Sequence, residues 1–277
     1  NQTMERIIVF LKKEKILIVI FLLAFLLRSI YSSMWLEDWD SVQFALSLTD
    51  YSVVKHQPHP PGYPIYILLG RLLYSIVGNP TITLTLLSIL LGSLAVIPFY
   101  SLTLQMFGRA TAVLGSMIFI SIPVEWILSV IPISNIPGFF FLLLLGYLVF
   151  VNMDNPKAGF LLGSFAGATV GVRPSDLPVA TGLLLFLVIK NWNVGYLFRL
   201  VLGFLLGIAL WLLPLIIITG PYEFYSAYKI VGLYAISHNM LLDSTFLFID
   251  EFIIQRLKLL WALLKVSYTP YFLVFAL

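Results

Sequence analysis

The sequence predicts an all-α, polytopic integral membrane protein, on three observations. Of its 277 residues, 60% are apolar and only 10% charged, whereas a soluble domain devotes about a quarter of its residues to charge. Apolar runs of near-spanning length recur along the chain, and the charged residues fall mostly in the connections between them. There is no cysteine, which excludes a disulfide framework, a thiol nucleophile and any Cys-ligated metal centre. A net charge of +3 is too small to argue for nucleic acid.

A spanning helix takes about 20 apolar residues, because the hydrocarbon core is about 30 Å thick and each residue rises about 1.5 Å. The first run, 16–34, follows Arg6, Lys12, Lys13 and Lys15. It is too long for a signal peptide and lacks a small-residue cleavage site, so it reads as a retained span that starts in the cytoplasm. Further runs at 81–106, 110–124, 136–151, 158–172, 177–189, 200–219 and 259–277 bring the expectation to about eight crossings. The shorter ones predict tilted or broken helices. The last run has no polar flank, so residues 1–277 read as one transmembrane domain from the N-terminal portion of a longer protein.

With the start inside, Arg109, Lys157, Lys190 and Arg199 fall on the cytoplasmic side, as the positive-inside rule expects. Glu37, Asp38, Asp40, Asp50, Glu125, Asp176, Glu223 and Asp243 fall in outer connections, together with His56, His59 and Arg173. Arg28, in the outer third of the first span, is expected to snorkel to the headgroups. In the fifth span Gly159, Gly163, Gly167 and Gly171 recur every four residues and predict close approach of another helix. No segment repeats in inverted form, which weakens a transporter reading.

The outer loop, 35–80, is long enough to expect function. It opens with three acids, Glu37, Asp38 and Asp40, between Trp35 and Trp39. Val42, Ala45 and Leu46 share a helical face, with Phe44 and Leu48 widening it, so a short helix is expected to lie on the membrane surface. Asp40 with Gln43 fits a capping box. A cap explains one carboxylate; crowding three costs repulsion that a catalytic or cation-binding role accounts for. The loop then runs Lys55-His56-Gln57-Pro58-His59-Pro60-Pro61-Gly62-Tyr63-Pro64, where the prolines predict a stiff, extended connector. Its His-x-x-His pair is read either as a metal site or as structural hydrogen bonding, so a divalent cation stays open and no other cofactor is expected. Farther on, Arg173-Pro174-Ser175-Asp176 reads either as an ion pair at a helix end or as a guanidinium that holds an anionic headgroup. Tyrosines between Pro221 and Tyr228 read as an interfacial belt or as part of a roof over the site.

At these residues the sequence resembles the GT-C superfamily of membrane glycosyltransferases, especially those similar to protein O-mannosyltransferases and aminoarabinose transferases. Asp40-Ser41-Val42-Gln43-Phe44-Ala45 matches the family's acidic motif after the first span, with Ser41 where Glu is common. His59-Pro60-Pro61-Gly62-Tyr63-Pro64 matches its second motif, and Gly171-Val172-Arg173-Pro174-Ser175-Asp176 its Arg-Pro element. The resemblance covers about 16–190. It departs at Asn135, where many relatives carry Asp; Glu125 is the nearest substitute.

The resemblance implies inverting transfer of a sugar from a polyprenyl-phosphate carrier to an acceptor hydroxyl on glycan, lipid or protein, at the outer face of a prokaryotic cytoplasmic membrane. Asp40 is then the candidate base, because a hydroxyl is a poor nucleophile until a carboxylate takes its proton. Arg173 is the first candidate to hold the departing phosphate, with His59 and Lys55 behind it. Glu37, Asp38, His56, Tyr63, Glu125 and Asp176 are the remaining candidates for lining the substrate site. No phosphate-cradling glycine loop of the nucleotide-binding kinds occurs. Two other classes remain open: a lipid or solute transporter or flippase, and a non-catalytic subunit of a glycosylation complex.

Overall fold

The computed structural model describes residues 14–238 together with Lys258 and Trp261. The basic start before residue 14, Asp243 and the run 259–277, apart from Trp261, lie outside the described residues. The described part is all-α: α1 (Lys15–Ile30), α2 (Trp39–Ser47), α3 (Pro64–Val77), α4 (Pro80–Leu94), α5 (Val96–Phe107), α6 (Arg109–Ile120), α7 (Pro123–Ser129), α8 (Asn135–Val151), α9 (Gly159–Val172), α10 (Leu177–Lys190), α11 (Val194–Thr219) and α12 (Pro221–His238).

Among the described residues two helices are long and apolar enough to cross a membrane, Pro80–Phe107 (α4 with α5) and Val194–Thr219; a third crossing arises if α6 and α7, bent by 59° at residues 121–122, form one span. The bend has a local cause, since Pro123 opens α7 and disfavours the helical conformation in the residue before it. The other apolar runs form shorter helices, such as the 14 residues of α9 and of α10. These reach about 21 Å at about 1.5 Å per residue, well short of the hydrocarbon thickness.

Glycine spacing explains the tightest packing. A side chain added at Gly163 or Gly167 would strike the backbone of Leu200 or Phe204 in α11, and one at Gly203 or Gly207 would strike Phe160 or Ser164 in α9. Both helices thus carry small residues at the seam, and backbones meet where side chains are missing. The second pair, Gly203 and Gly207, was not part of the sequence-based expectation. The register runs Gly159 on Tyr196, Gly167 on Phe204 and Gly171 on Trp211, so α9 and α11 are parallel. The indole Nε1 of Trp211 donates to the Gly167 carbonyl at 3.0 Å.

Parallel neighbours require a return, which α10 supplies. One end of this unit therefore gathers Asn191, which donates to the Met153 carbonyl at 2.8 Å, and Lys190, which pairs with Asp154 at 2.9 Å. The opposite end gathers the C-termini of α9 and α11 and the N-termini of α10 and α12. There Arg173 and the start of α8 meet, since a Cβ on Gly138 would clash with the Arg173 and Asp176 side chains.

Arg28 corrects the snorkelling expectation. It is 0% exposed, turned inward from α1 onto buried Glu125 of α7, and Ser129 Oγ also donates to that carboxylate at 3.1 Å. The Ser33 N–H donates to the Val130 carbonyl at 2.8 Å, so the start of the 35–80 loop is tied to the end of α7.

Candidate functional site

Within the loop, α2 is fixed by its own sequence. Asp38, with extended backbone, is the N-cap: its carboxylate accepts from the Asp40 N–H at 3.1 Å, and Ser41 Oγ accepts from the Asp38 N–H at 3.0 Å. The capping box is therefore Asp38 with Ser41, correcting the expected Asp40–Gln43 pair. The change matters chemically: the cap engages Asp38 and leaves the carboxylate of Asp40, in the first turn, off its own backbone. Of the expected apolar face of α2, Ala45, Phe44 and Leu48 are buried, whereas Val42 is half-buried and Leu46 turns outward. Ser41, Phe44, Ala45 and Leu48 turn inward while Leu46 is 46% exposed, because Phe44 and Leu48 meet Tyr66, Ile67 and Leu84 in an apolar cluster under the loop. The helix is held by protein on one side rather than resting on a membrane alone.

The proline-rich connector folds back instead of running extended. Ser52 and Gln57 exchange backbone hydrogen bonds at 2.7 and 2.9 Å, His56 (φ 57°) and Tyr63 (φ 46°) adopt the left-handed conformation, and Tyr51 OH donates to the Gly62 carbonyl at 2.9 Å. This compact turn drops His59 onto α2. Its ring Nδ1 lies 2.6 Å from Gln43 Oε1 and 3.6 Å from Asp40 Oδ1, and its Nε2 lies 3.0 Å from Tyr63 OH. The rings of His59, Tyr63 and Tyr66 all pack against Phe44, with centroids 5.0 to 5.9 Å away. Both ring nitrogens of His59 are thus engaged within the protein, while His56 of the His-x-x-His pair is exposed. Among the described residues no group of three or more potential metal ligands occurs.

Tyr63 is the junction of the site. Burial pushes its phenol up to about 12, with Asp40 adding to the rise, Arg173 opposing it and Asp176 contributing less. Arg173, half-buried, donates from Nη1 to Asp176 at 3.5 Å, and its guanidinium makes no other hydrogen bond among the described residues, leaving most of its donors unused. Asp176 is buried, its Oδ2 lacks a hydrogen-bond partner, and burial raises its carboxyl above the usual range against the pull of Arg173. It stands at the N-cap position of α10 without a side-chain capping bond.

For His59, burial lowers the imidazole below its ordinary value; Asp40 opposes that, His56 adds to it, and Asp38 opposes it weakly. The Asp40 carboxylate is 49% exposed. Beside this cluster a groove of about 320 Å³ is lined by Pro61, Pro174, Leu177, Trp211, Phe224 and Tyr228, among others. Two of its walls are thus the immediate neighbours of the His59-Pro60 and Arg173 elements.

The structure sets Asp40 and Tyr63 against His59, and Arg173 against Asp176; the other sequence candidates are engaged differently. Lys55 is exposed and pairs with Asp50 at 2.8 Å. Glu37 is exposed and accepts from Ser33 Oγ at 2.6 Å, Asp38 serves as the cap, His56 closes a short turn, and Glu125 is spent on Arg28. Sequence reasoning missed Gln43, reading it as a cap partner. Its signal was a polar side chain set directly against Phe44 on the face that had to be buried.

The described residues thus form an all-α membrane-type fold with a polar cluster beside an apolar groove. Residues 40–126 match the family described as protein O-mannosyl-transferase TMEM260 N-terminal domain, which supports a glycosyltransferase-like relation. The matched stretch opens on Asp40 and ends before Arg173. No curated protein and no solved structure matches the chain.

Proposed function

We propose that the protein is a multi-pass membrane glycosyltransferase that moves a sugar from a polyprenyl-phosphate donor to an acceptor hydroxyl, with inversion, at the outer face of the membrane. The observation that carries this reading is a half-exposed carboxylate, Asp40, set against the His59–Tyr63 pair, with a guanidinium of unused donors, Arg173, whose neighbour Pro174 lines the same groove as Pro61. Transfer from a lipid phosphate needs both. Asp40 orients the acceptor hydroxyl and takes its proton as the new bond forms. Arg173 meets the negative charge that grows on the departing phosphate, bidentately and without losing its own charge. The groove beside Pro61 and Pro174 supplies an apolar path for the carrier tail, so phosphate and sugar can stay at the polar cluster.

The family match over Asp40 to Trp126 supports the reaction class. About eight crossings remain part of this proposal: among the described residues two helices, or three with α6 and α7 as one span, are long enough to cross, and α9 and α11 run parallel with α10 between them. In this reading His59 is not a phosphate cation, because its surroundings favour the neutral ring, and Lys55 is too occupied with Asp50 to serve. A transporter needs ionisable groups along a path at mid-bilayer; here Asp40 lies in the first turn of α2 and Arg173 just past the end of α9, neither inside a long apolar helix.

The test is to incubate the full chain in lipid vesicles with a panel of polyprenyl-phosphate sugars and a mixed acceptor pool. Consumption of one donor with release of polyprenyl phosphate is expected. Transbilayer movement of donor without cleavage of the sugar–phosphate bond would replace the enzyme reading with the flippase one.

A further inference from the structure

We infer that Gln43 is a positioning residue that fixes His59 as the Nδ1–H tautomer, so that Tyr63 must give its proton to His59 and offers the substrate an oxygen lone pair. Three distances carry this. A backbone N–H can only donate, and that of His59 lies 3.1 Å from Gln43 Oε1, so the oxygen of this amide, not its nitrogen, faces His59. The same oxygen lies 2.6 Å from His59 Nδ1; two acceptors do not share such a distance, so Nδ1 carries the proton. A neutral ring with its proton there has its lone pair on Nε2, which lies 3.0 Å from Tyr63 OH. That nitrogen accepts, and the phenol donates.

The groups facing His59 support a neutral ring. Asp38 and Asp40 come from α2, His56 from the connector and Tyr63 from the start of α3, and the cost of charging a mostly buried imidazole outweighs the pull of the two carboxylates. Phe44 closes the remaining side. A hydroxyl committed in this way has no proton to offer outward. Resting on the transferase reading for the identity of the ligand, Tyr63 then selects a ligand group that is itself a donor, such as a sugar or acceptor hydroxyl, and repels a phosphate oxygen, leaving that group to Arg173.

The test is ring-nitrogen NMR of the full chain labelled with [15N]histidine in lipid bilayers. The chain has 3 histidines, so replacing His56 and His238 by Asn isolates His59. The expected spectrum at pH 7 shows a protonated Nδ1 and an Nε2 shifted as a hydrogen-bond acceptor. Tyr63→Phe moves the Nε2 resonance toward that of a free lone pair and leaves Nδ1 nearly in place. Gln43→Glu, which keeps the accepting oxygen and adds charge, holds the imidazolium to a pH at least one unit higher. An Nε2–H ring or an imidazolium in the wild-type chain at pH 7 would overturn the inference, as would an Nε2 resonance indifferent to Tyr63→Phe. None of these readouts involves sugar transfer, so the tautomer assignment and the transferase reading fail separately.

Discussion

Replacing Glu125 by Gln tests how the loop-bearing end of the fold is held. The substitution keeps the shape of the side chain and removes the counter-charge of Arg28, whose guanidinium cannot lose its proton. Arg28 is 0% exposed, its Nε and Nη1 have no hydrogen-bond partner among the described residues, and Glu125 is its carboxylate partner. Breaking a buried pair on one side costs about 3–5 kcal/mol; because the new amide oxygen still accepts one bond, the low end of that range is expected. Arg28→Met should cost less, about 1–3 kcal/mol, since the stranded carboxyl can take up a proton and still accepts from Ser129. The double variant should fall near the milder single one, a non-additivity that double-mutant analysis reads as coupling. Denaturation of the four proteins in the same detergent gives the numbers. A Glu125→Gln chain within about 1 kcal/mol of wild type would refute the reasoning, by showing that Arg28 does not depend on this partner.

Four further outcomes follow from the same structure. Gly167→Val should lower thermal stability by at least about 1–3 kcal/mol, because the new side chain meets the Phe204 backbone rather than a side chain that can turn away; Gly146→Ala, with open space around it, is the control and should be neutral in the same melt. Asp38→Ala should cost about 0.5–2 kcal/mol through the lost cap of α2, with Asp38→Asn recovering most of it in the same assay. His59, held below its ordinary value, is bound to fewer protons in the native than in the unfolded chain, so stability is full above about pH 6.5 and declines as pH falls below it; His59→Asn should flatten that part of the curve. Since the chain has no cysteine, single cysteines report sidedness directly: Thr49→Cys should react with an impermeant maleimide from outside intact cells, and Lys157→Cys only after the membrane is opened.

Apolar composition and run spacing made the helical class and most helix positions legible, because burying backbone away from water leaves the helix as the economical solution. The glycine repeat in α9 was legible for the same reason, since only close packing rewards it; its counterpart in α11 has the same spacing of four but only Gly203 and Gly207, set among bulky residues. At the site, the motif order pointed to Asp40, His59 and Arg173 but not to what holds them. The cap was assigned two residues late because Asp38 and Asp40 both offer a carboxylate before the same helix, and only the backbone turn at Asp38 chooses between them. Arg28 was misread because a long cation near a helix end snorkels unless a carboxylate waits inside, and Glu125 lies 97 residues away in the chain. Gln43 was missed for a related reason: its partner is 16 residues on, across a turn whose left-handed residue, His56, is neither glycine nor asparagine.

The central claim is that Asp40 acts on the acceptor while Arg173 holds the donor, and the most direct measurement separates those duties. Turnover and donor affinity are to be compared for the wild-type chain, Asp40→Asn and Arg173→Ala, with the polyprenyl-phosphate sugar that the wild type consumes. The account predicts that Asp40→Asn loses about 10²–10⁴-fold in turnover with donor binding kept, and that Arg173→Ala weakens donor binding as well. Unchanged turnover in the folded Asp40→Asn protein would contradict it.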